Sequence, residues 1–88
     1  MAFEWDPKKS LSNIEKHGIS FEQAITLFLV NHVTAELNTS PEARWAIIGQ
    51  LNGKFFTGIY TYRGKDIRLI SVRRSRRNEE KFYGANFT

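Results

Sequence analysis

The 88-residue chain contains no cysteine. Disulfides, thiolate zinc sites, iron–sulfur clusters and a cysteine nucleophile are thereby excluded, and the composition suits a reducing compartment. The six glycines form neither a phosphate-binding loop nor a dinucleotide fingerprint. Long apolar runs are missing too. The longest mostly apolar stretch, Ala24 to Val30, falls far short of the roughly 20 residues a membrane helix needs. Glu4 and Asp6 stand where a signal peptide would have a basic start, so a cytoplasmic protein with no membrane contact is expected. The two histidines, His17 and His32, fall in different expected elements and share no ligand spacing with a third donor. No metal and no cofactor are expected.

What is present belongs to a folded chain. Hydrophobic residues make up 41% and aromatic residues 14%, too much large apolar surface for disorder. The length suits one domain over residues 1–88, with a small core and modest stability. The formal net charge is +4, but it is unevenly spread: residues 1–51 hold four bases against six acids, and residues 52–88 hold nine bases against three acids. Arg73, Arg74, Arg76 and Arg77 lie within five residues of one another, a cluster that repels itself unless an anion offsets it. Polyanionic nucleic acid is the leading partner, and an acidic protein surface is the second.

Local patterns give the element order. Phe3-Glu4-Trp5 suits an edge strand, and Asp6-Pro7 reads as a helix start. The helix to His17 places Leu11 and Ile14 on one face, and Gly18 can end it in the left-handed region. Ser20 and Gln23 have capping-box spacing for a second helix, whose Phe21, Ala24, Ile25 and Phe28 should pack on a sheet. Strands are expected over 32–37, 44–51, 54–62 and 67–73, with Trp45, Ile47, Gly49 and Leu51 on one face. Asn52-Gly53 reads as a type I′ hairpin turn, Arg63 to Asp66 as the next turn, and Glu79 to Tyr83 as a terminal helix. The order β-α-α-β-β-β-β-α describes an α+β fold with helices on one face of a largely antiparallel sheet.

Chemistry concentrates at the last strand. Strict alternation places Arg68, Ile70, Val72 and Arg74 on one face and Ile67, Leu69, Ser71 and Arg73 on the other. Arg68 interrupts an apolar strand, so its guanidinium should meet either a carboxylate, such as Glu79 or Glu80, or the rim of a cleft.

Several pieces together resemble one family. Phe3-Glu4-Trp5-Asp6, Lys16-His17-Gly18-Ile19-Ser20-Phe21-Glu22-Gln23-Ala24, Tyr60-Thr61-Tyr62-Arg63-Gly64 and Arg68-Leu69-Ile70-Ser71-Val72-Arg73-Arg74, with Glu79 and Tyr83, are similar in order to the BrnT toxins. The sequence departs from that pattern at Leu29-Val30-Asn31-His32, where an acidic loop is common, and at Ser75, where alanine is common. The resemblance implies a RelE-like ribonuclease fold and a type II toxin that inhibits translation by cutting RNA. It also implies a BrnA antitoxin, whose ribbon-helix-helix domain binds DNA, in a heterotetramer with the toxin.

A ribonuclease without metal must activate the ribose 2′-hydroxyl, stabilise the charge on a phosphorane-like transition state and protonate the leaving oxygen. Arginine suits the middle task, because its planar fork binds two phosphate oxygens and stays charged. Arg68, Arg73 and Arg74 are the candidates for it, with Lys54, Arg63, Lys65, Arg76 and Arg77 holding the RNA backbone. For proton transfer the candidates are His17, Glu79 and Tyr83. Each also has a structural explanation: His17 as a last-turn helix residue, Glu79 as a first-turn residue or ion-pair partner, and Tyr83 as packing. Tyr62 and Tyr83 are the aromatic residues placed to stack on a base, the others belonging to the core. Two alternatives carry the same charge: a nucleic-acid-binding module without catalysis, and an inactive toxin-like subunit whose arginines meet an acidic protein.

Overall fold

Asp6 opens the first helix, α1 (Pro7–His17): its carboxylate accepts from the Lys8 N–H at 2.9 Å, and Pro7 fills the first turn, where an N–H has no partner anyway. Gly18, at φ +71°, ends α1 with its N–H on the Ile14 carbonyl. The Ser20–Gln23 capping box then starts α2 (Phe21–Ala24), which tightens after one turn into a 3-10 segment, Ile25–Phe28. The computed structural model describes residues 2–86, so Met1, Phe87 and Thr88 of the expected 1–88 domain lie outside the described residues.

Five strands follow the expected positions: β1 (Phe3–Glu4), β2 (His32–Leu37), β3 (Arg44–Leu51), β4 (Lys54–Arg63) and β5 (Asp66–Arg74). The sheet order is β1-β5-β4-β3-β2, antiparallel throughout except for the short parallel pair of β1 with β5. Asn52 and Gly53 both have positive φ at the β3–β4 hairpin, as a type I′ turn requires. The terminal helix, α3, runs from Arg77 to Asn86. Element type and order are those the sequence pattern predicts.

The main core lies under α1 and α2. Phe21, Ala24 and Leu27 meet Ile47, Tyr60, Leu69 and Val72, all of them buried. Each large apolar side chain so buried is worth about 1.5–3 kcal/mol against exposure.

Three expectations need correction. The helices do not share one face of the sheet: α3 covers the opposite side, where Tyr83 meets the Phe55 ring edge-on at 5.1 Å. The reason is that this second face is itself apolar along β2 and β3, where Val33, Ala46 and Ile48 are buried. The alternation along β5 is also broken. Ile59 pairs with Ser71 and Tyr60 with Leu69, so Ile70 is an extra, bulged residue, and beyond it every side chain changes face. Ile67, Leu69, Val72 and Arg74 therefore share the main-core side, while Arg68, Ser71 and Arg73 share the other.

The third concerns Arg68. Its partner is neither Glu79 nor Glu80 but Glu4, at 2.7 Å, because β1 lies beside β5 and brings Glu4 opposite it. Helix α1 shows a further departure from simple amphipathicity. Leu11 and Ile14 are exposed, while Ser10 and Asn13 are buried. The Ser10 hydroxyl donates to Glu22 and accepts from the Phe21 N–H, and the Asn13 amide donates to the Ile19 carbonyl at 2.8 Å. These bonds satisfy the start of α2 and fix the rotation of α1 about its axis.

Candidate nucleic-acid interface

Charge gathers where β5 ends and α3 begins. Arg73 directs its fork at Glu79, with both nitrogen–oxygen distances 2.7 Å, a bidentate pair whose two side chains are mostly buried. Glu79 also accepts from the Arg76 N–H at 2.7 Å and from the Thr57 hydroxyl at 3.1 Å, and Thr57 in turn contacts Ser75 at 2.7 Å. Thr57 is fully buried on β4 and would be costly to leave unpaired. One carboxylate thus ties the last strand, the central strand and the first turn of α3 together. The Arg73 fork holds the Glu79 carboxyl down at about 2, with the Arg76 N–H and Thr57 hydroxyl adding to it against the opposing effect of burial. The same contact raises the pKa of Arg73. A carboxylate so stabilised is a weak base at neutral pH.

Arg74 is placed differently. It is exposed on the main-core side, its guanidinium 5.7 Å from the centre of the Phe56 ring. Among the described residues Arg74, Arg76, Arg77 and Lys54 have no carboxylate partner, and all four are exposed. The register brings them to one end of the sheet, since Arg74 pairs with Phe56 and the Ser75 N–H bonds to the Phe55 carbonyl, two and one residues from Lys54. Arg63 and Lys65 lie at the opposite end, in the β4–β5 turn. Arg63 is there 3.6 Å from Glu42, which is also 3.6 Å from Arg44. The sequence-derived RNA-binding set is therefore divided between two ends.

The proton-transfer candidates are not assembled around one point. Glu79 is engaged by Arg73, and Tyr83 packs on Phe55. His17 is exposed at the end of α1 and lines a cleft of about 360 Å³ between that helix and β5, together with Lys9, Ser12, Lys16 and Ser71. Tyr62 sits at the far end, edge-on to Trp45 at 4.9 Å and 46% exposed. Burial, with Tyr62 adjacent, pushes the Tyr60 hydroxyl up to about 12, which keeps it protonated within the packing. No group of three or more histidine, aspartate or glutamate side chains gathers among the described residues, and no helix among them is long and apolar enough to cross a membrane.

A family model for the ribonuclease toxin BrnT of type II toxin–antitoxin systems matches residues 5–79. The chain belongs to the BrnT family. No curated protein matches the chain. The BrnT match begins at Trp5, just after the strand that supplies Glu4 to Arg68, and runs through β2 to β5 as far as Glu79. Family membership makes a ribonuclease toxin with an antitoxin partner the setting in which this basic end is to be understood.

Reasoning from sequence missed Lys9 and Lys16 as members of the basic surface, and Thr57 and Ser75 as parts of the Glu79 network. The seven-residue spacing of Lys9 and Lys16 places them on one helical face and was a readable signal. The hydroxyl network had none, because it depends on the β4–β5 register.

Proposed function

We propose that this chain is an active, metal-independent endoribonuclease that inhibits translation by cutting RNA. Its fold is RelE-like, and a cytoplasmic BrnA-type ribbon-helix-helix antitoxin, with which it forms a heterotetramer, restrains it; DNA is reached only through that antitoxin. The observation that carries this is the exposed group Arg74, Arg76, Arg77 and Lys54, without carboxylate partners among the described residues while Glu79 is committed to Arg73. In a BrnT-family chain an uncompensated cationic end of this kind suits the phosphates of RNA.

The geometry supports the following division of roles. Arg74 is the guanidinium available to the scissile phosphate, and its position over Phe56 limits its motion. Arg73, its fork already on Glu79, holds the strand end. Arg76, Arg77 and Lys54 bind flanking phosphates. His17, beside the α1 lysines, is the group assigned to proton transfer, and Glu79 positions rather than transfers. Arg68, paired with Glu4, is a structural arginine in this scheme.

The test is cleavage of a defined messenger RNA by purified protein, with and without EDTA and with and without ribosomes, beside Arg74→Ala verified as folded by circular dichroism. Cutting that survives EDTA and falls about 100-fold in the variant supports the proposal. A wild type that binds RNA and never cuts it establishes the non-catalytic module instead.

A further inference from the structure

The helix α1 presents an arrangement that the basic end of β5 does not explain. Lys9, Ser12, Lys16 and His17 recur at spacings of three, four and one residues and form a single stripe, and that stripe faces Ile70 and Ser71 across the cleft of about 360 Å³. The orientation is enforced. Ser10 and Asn13 are tied to the Phe21 N–H, Glu22 and the Ile19 carbonyl, so α1 cannot rotate its lysines outward without breaking buried hydrogen bonds.

The opposite wall is unusual as well. The parallel partner β1 ends at Glu4, opposite Arg68, so from Leu69 onward the outer side of β5 has no strand beside it. The bulge at Ile70 falls within this stretch and turns the strand where the cleft lies. Neither Lys9 nor Lys16 has a carboxylate partner among the described residues, and the two lie two helical turns apart.

We propose that the cleft between α1 and the outer side of β5 is a second contact track for single-stranded RNA, in which Lys9 and Lys16 hold phosphates with the Ser12 hydroxyl beside them. The proposal rests on the ribonuclease reading and extends its RNA path from the end of β5 along α1, past His17. Lysines, hydroxyls and exposed strand backbone are the groups that hold a sugar–phosphate chain without reading its sequence. A protein segment would need apolar anchors, and among the described residues the large apolar side chains of the cleft are Ile70 and the fully packed Phe21.

The test is a salt titration of the affinity for a short fluorescent single-stranded RNA, comparing wild type, the Lys9→Gln, Lys16→Gln double variant and the corresponding double arginine variant. Removal of two phosphate contacts lowers the affinity on the order of tenfold and makes the dependence of log affinity on log salt shallower by about 1.4. Arginine at both positions restores both. Unchanged affinity and slope in the folded glutamine variant overturn the cleft while leaving RNA cleavage by the wild type intact. RNA binding with the predicted slope change but no wild-type cleavage keeps the cleft and removes the ribonuclease reading. Absence of RNA binding by the wild type overturns both, and a glutamine variant that loses affinity for polyglutamate alone overturns the RNA assignment in favour of an acidic protein.

Discussion

The two ends of the sheet carry similar numbers of arginines and opposite electrostatic states. At the end formed by the β4–β5 turn, Arg68 meets Glu4 at 2.7 Å and Arg44 and Arg63 both approach Glu42 at 3.6 Å. At the other end, among the described residues, Arg73 alone is neutralised, and Arg74, Arg76, Arg77 and Lys54 are exposed without a carboxylate. The acids that quench the first end come from the chain's acidic half, through β1 and the loop before β3. The same half contributes Lys9 and Lys16 to the basic side. A charge imbalance along the sequence thus becomes, after folding, an imbalance between two ends of one sheet.

Glu79 separates charge used for architecture from charge left for a ligand, and removing it gives the largest expected change in stability. Glu79→Ala strips partners from Arg73, the Arg76 N–H and the buried Thr57 hydroxyl, and should lower unfolding free energy by about 3 kcal/mol in urea titrations. Glu79→Gln keeps acceptors for Thr57 and the backbone, so its cost should be about half as large on the same scale. Equal losses in the two variants would show that the charge, and not the hydrogen-bond network, holds α3.

Acid should reveal the same residue. Because folding lowers the Glu79 pKa from 4.5 to about 2, its contribution is fully present above about pH 4.5 and is lost as the pH falls toward 2. That window carries at most about 3 kcal/mol, and thermal melts across it should flatten in Glu79→Gln. A variant that loses stability as steeply as the wild type would assign the acid transition to other carboxylates.

The quenched end should respond least. The Arg68 and Glu4 side chains are each about one-third exposed or more, so Arg68→Ala should cost about 1 kcal/mol or less in stability. Its cleavage rate should match the wild type. A folded Arg68→Ala that no longer cuts RNA would return Arg68 to the phosphate site and move the reaction toward the middle of β5.

Local chemistry made most of the fold legible. Asp6-Pro7, Gly18, the Ser20–Gln23 capping box and Asn52-Gly53 each dictate a backbone geometry with few alternatives, and each stands where the sequence places it. What escaped depends on non-local facts. The bulge at Ile70 reverses the faces of Val72, Arg73 and Arg74, and no residue type at position 70 announces it. The Glu4–Arg68 pair joins residues 64 positions apart through a two-residue strand. The exposed Leu11 and Ile14 follow from hydrogen bonds by Ser10 and Asn13 that outweigh the apolar pattern of α1. Of the candidate site, the arginine cluster was readable from composition, whereas its division into committed and available guanidinium groups required the register.

On the proposed function, the uncompensated end handles RNA and the quenched end does not. The most direct test of this is cleavage of one defined RNA by two folded double variants, Arg74→Ala with Arg76→Ala and Arg63→Ala with Lys65→Ala. Loss of about two orders of magnitude is expected in the first and a rate within about twofold of wild type in the second. Equal rates in the two variants, or loss confined to the Arg63 and Lys65 pair, would contradict that proposal.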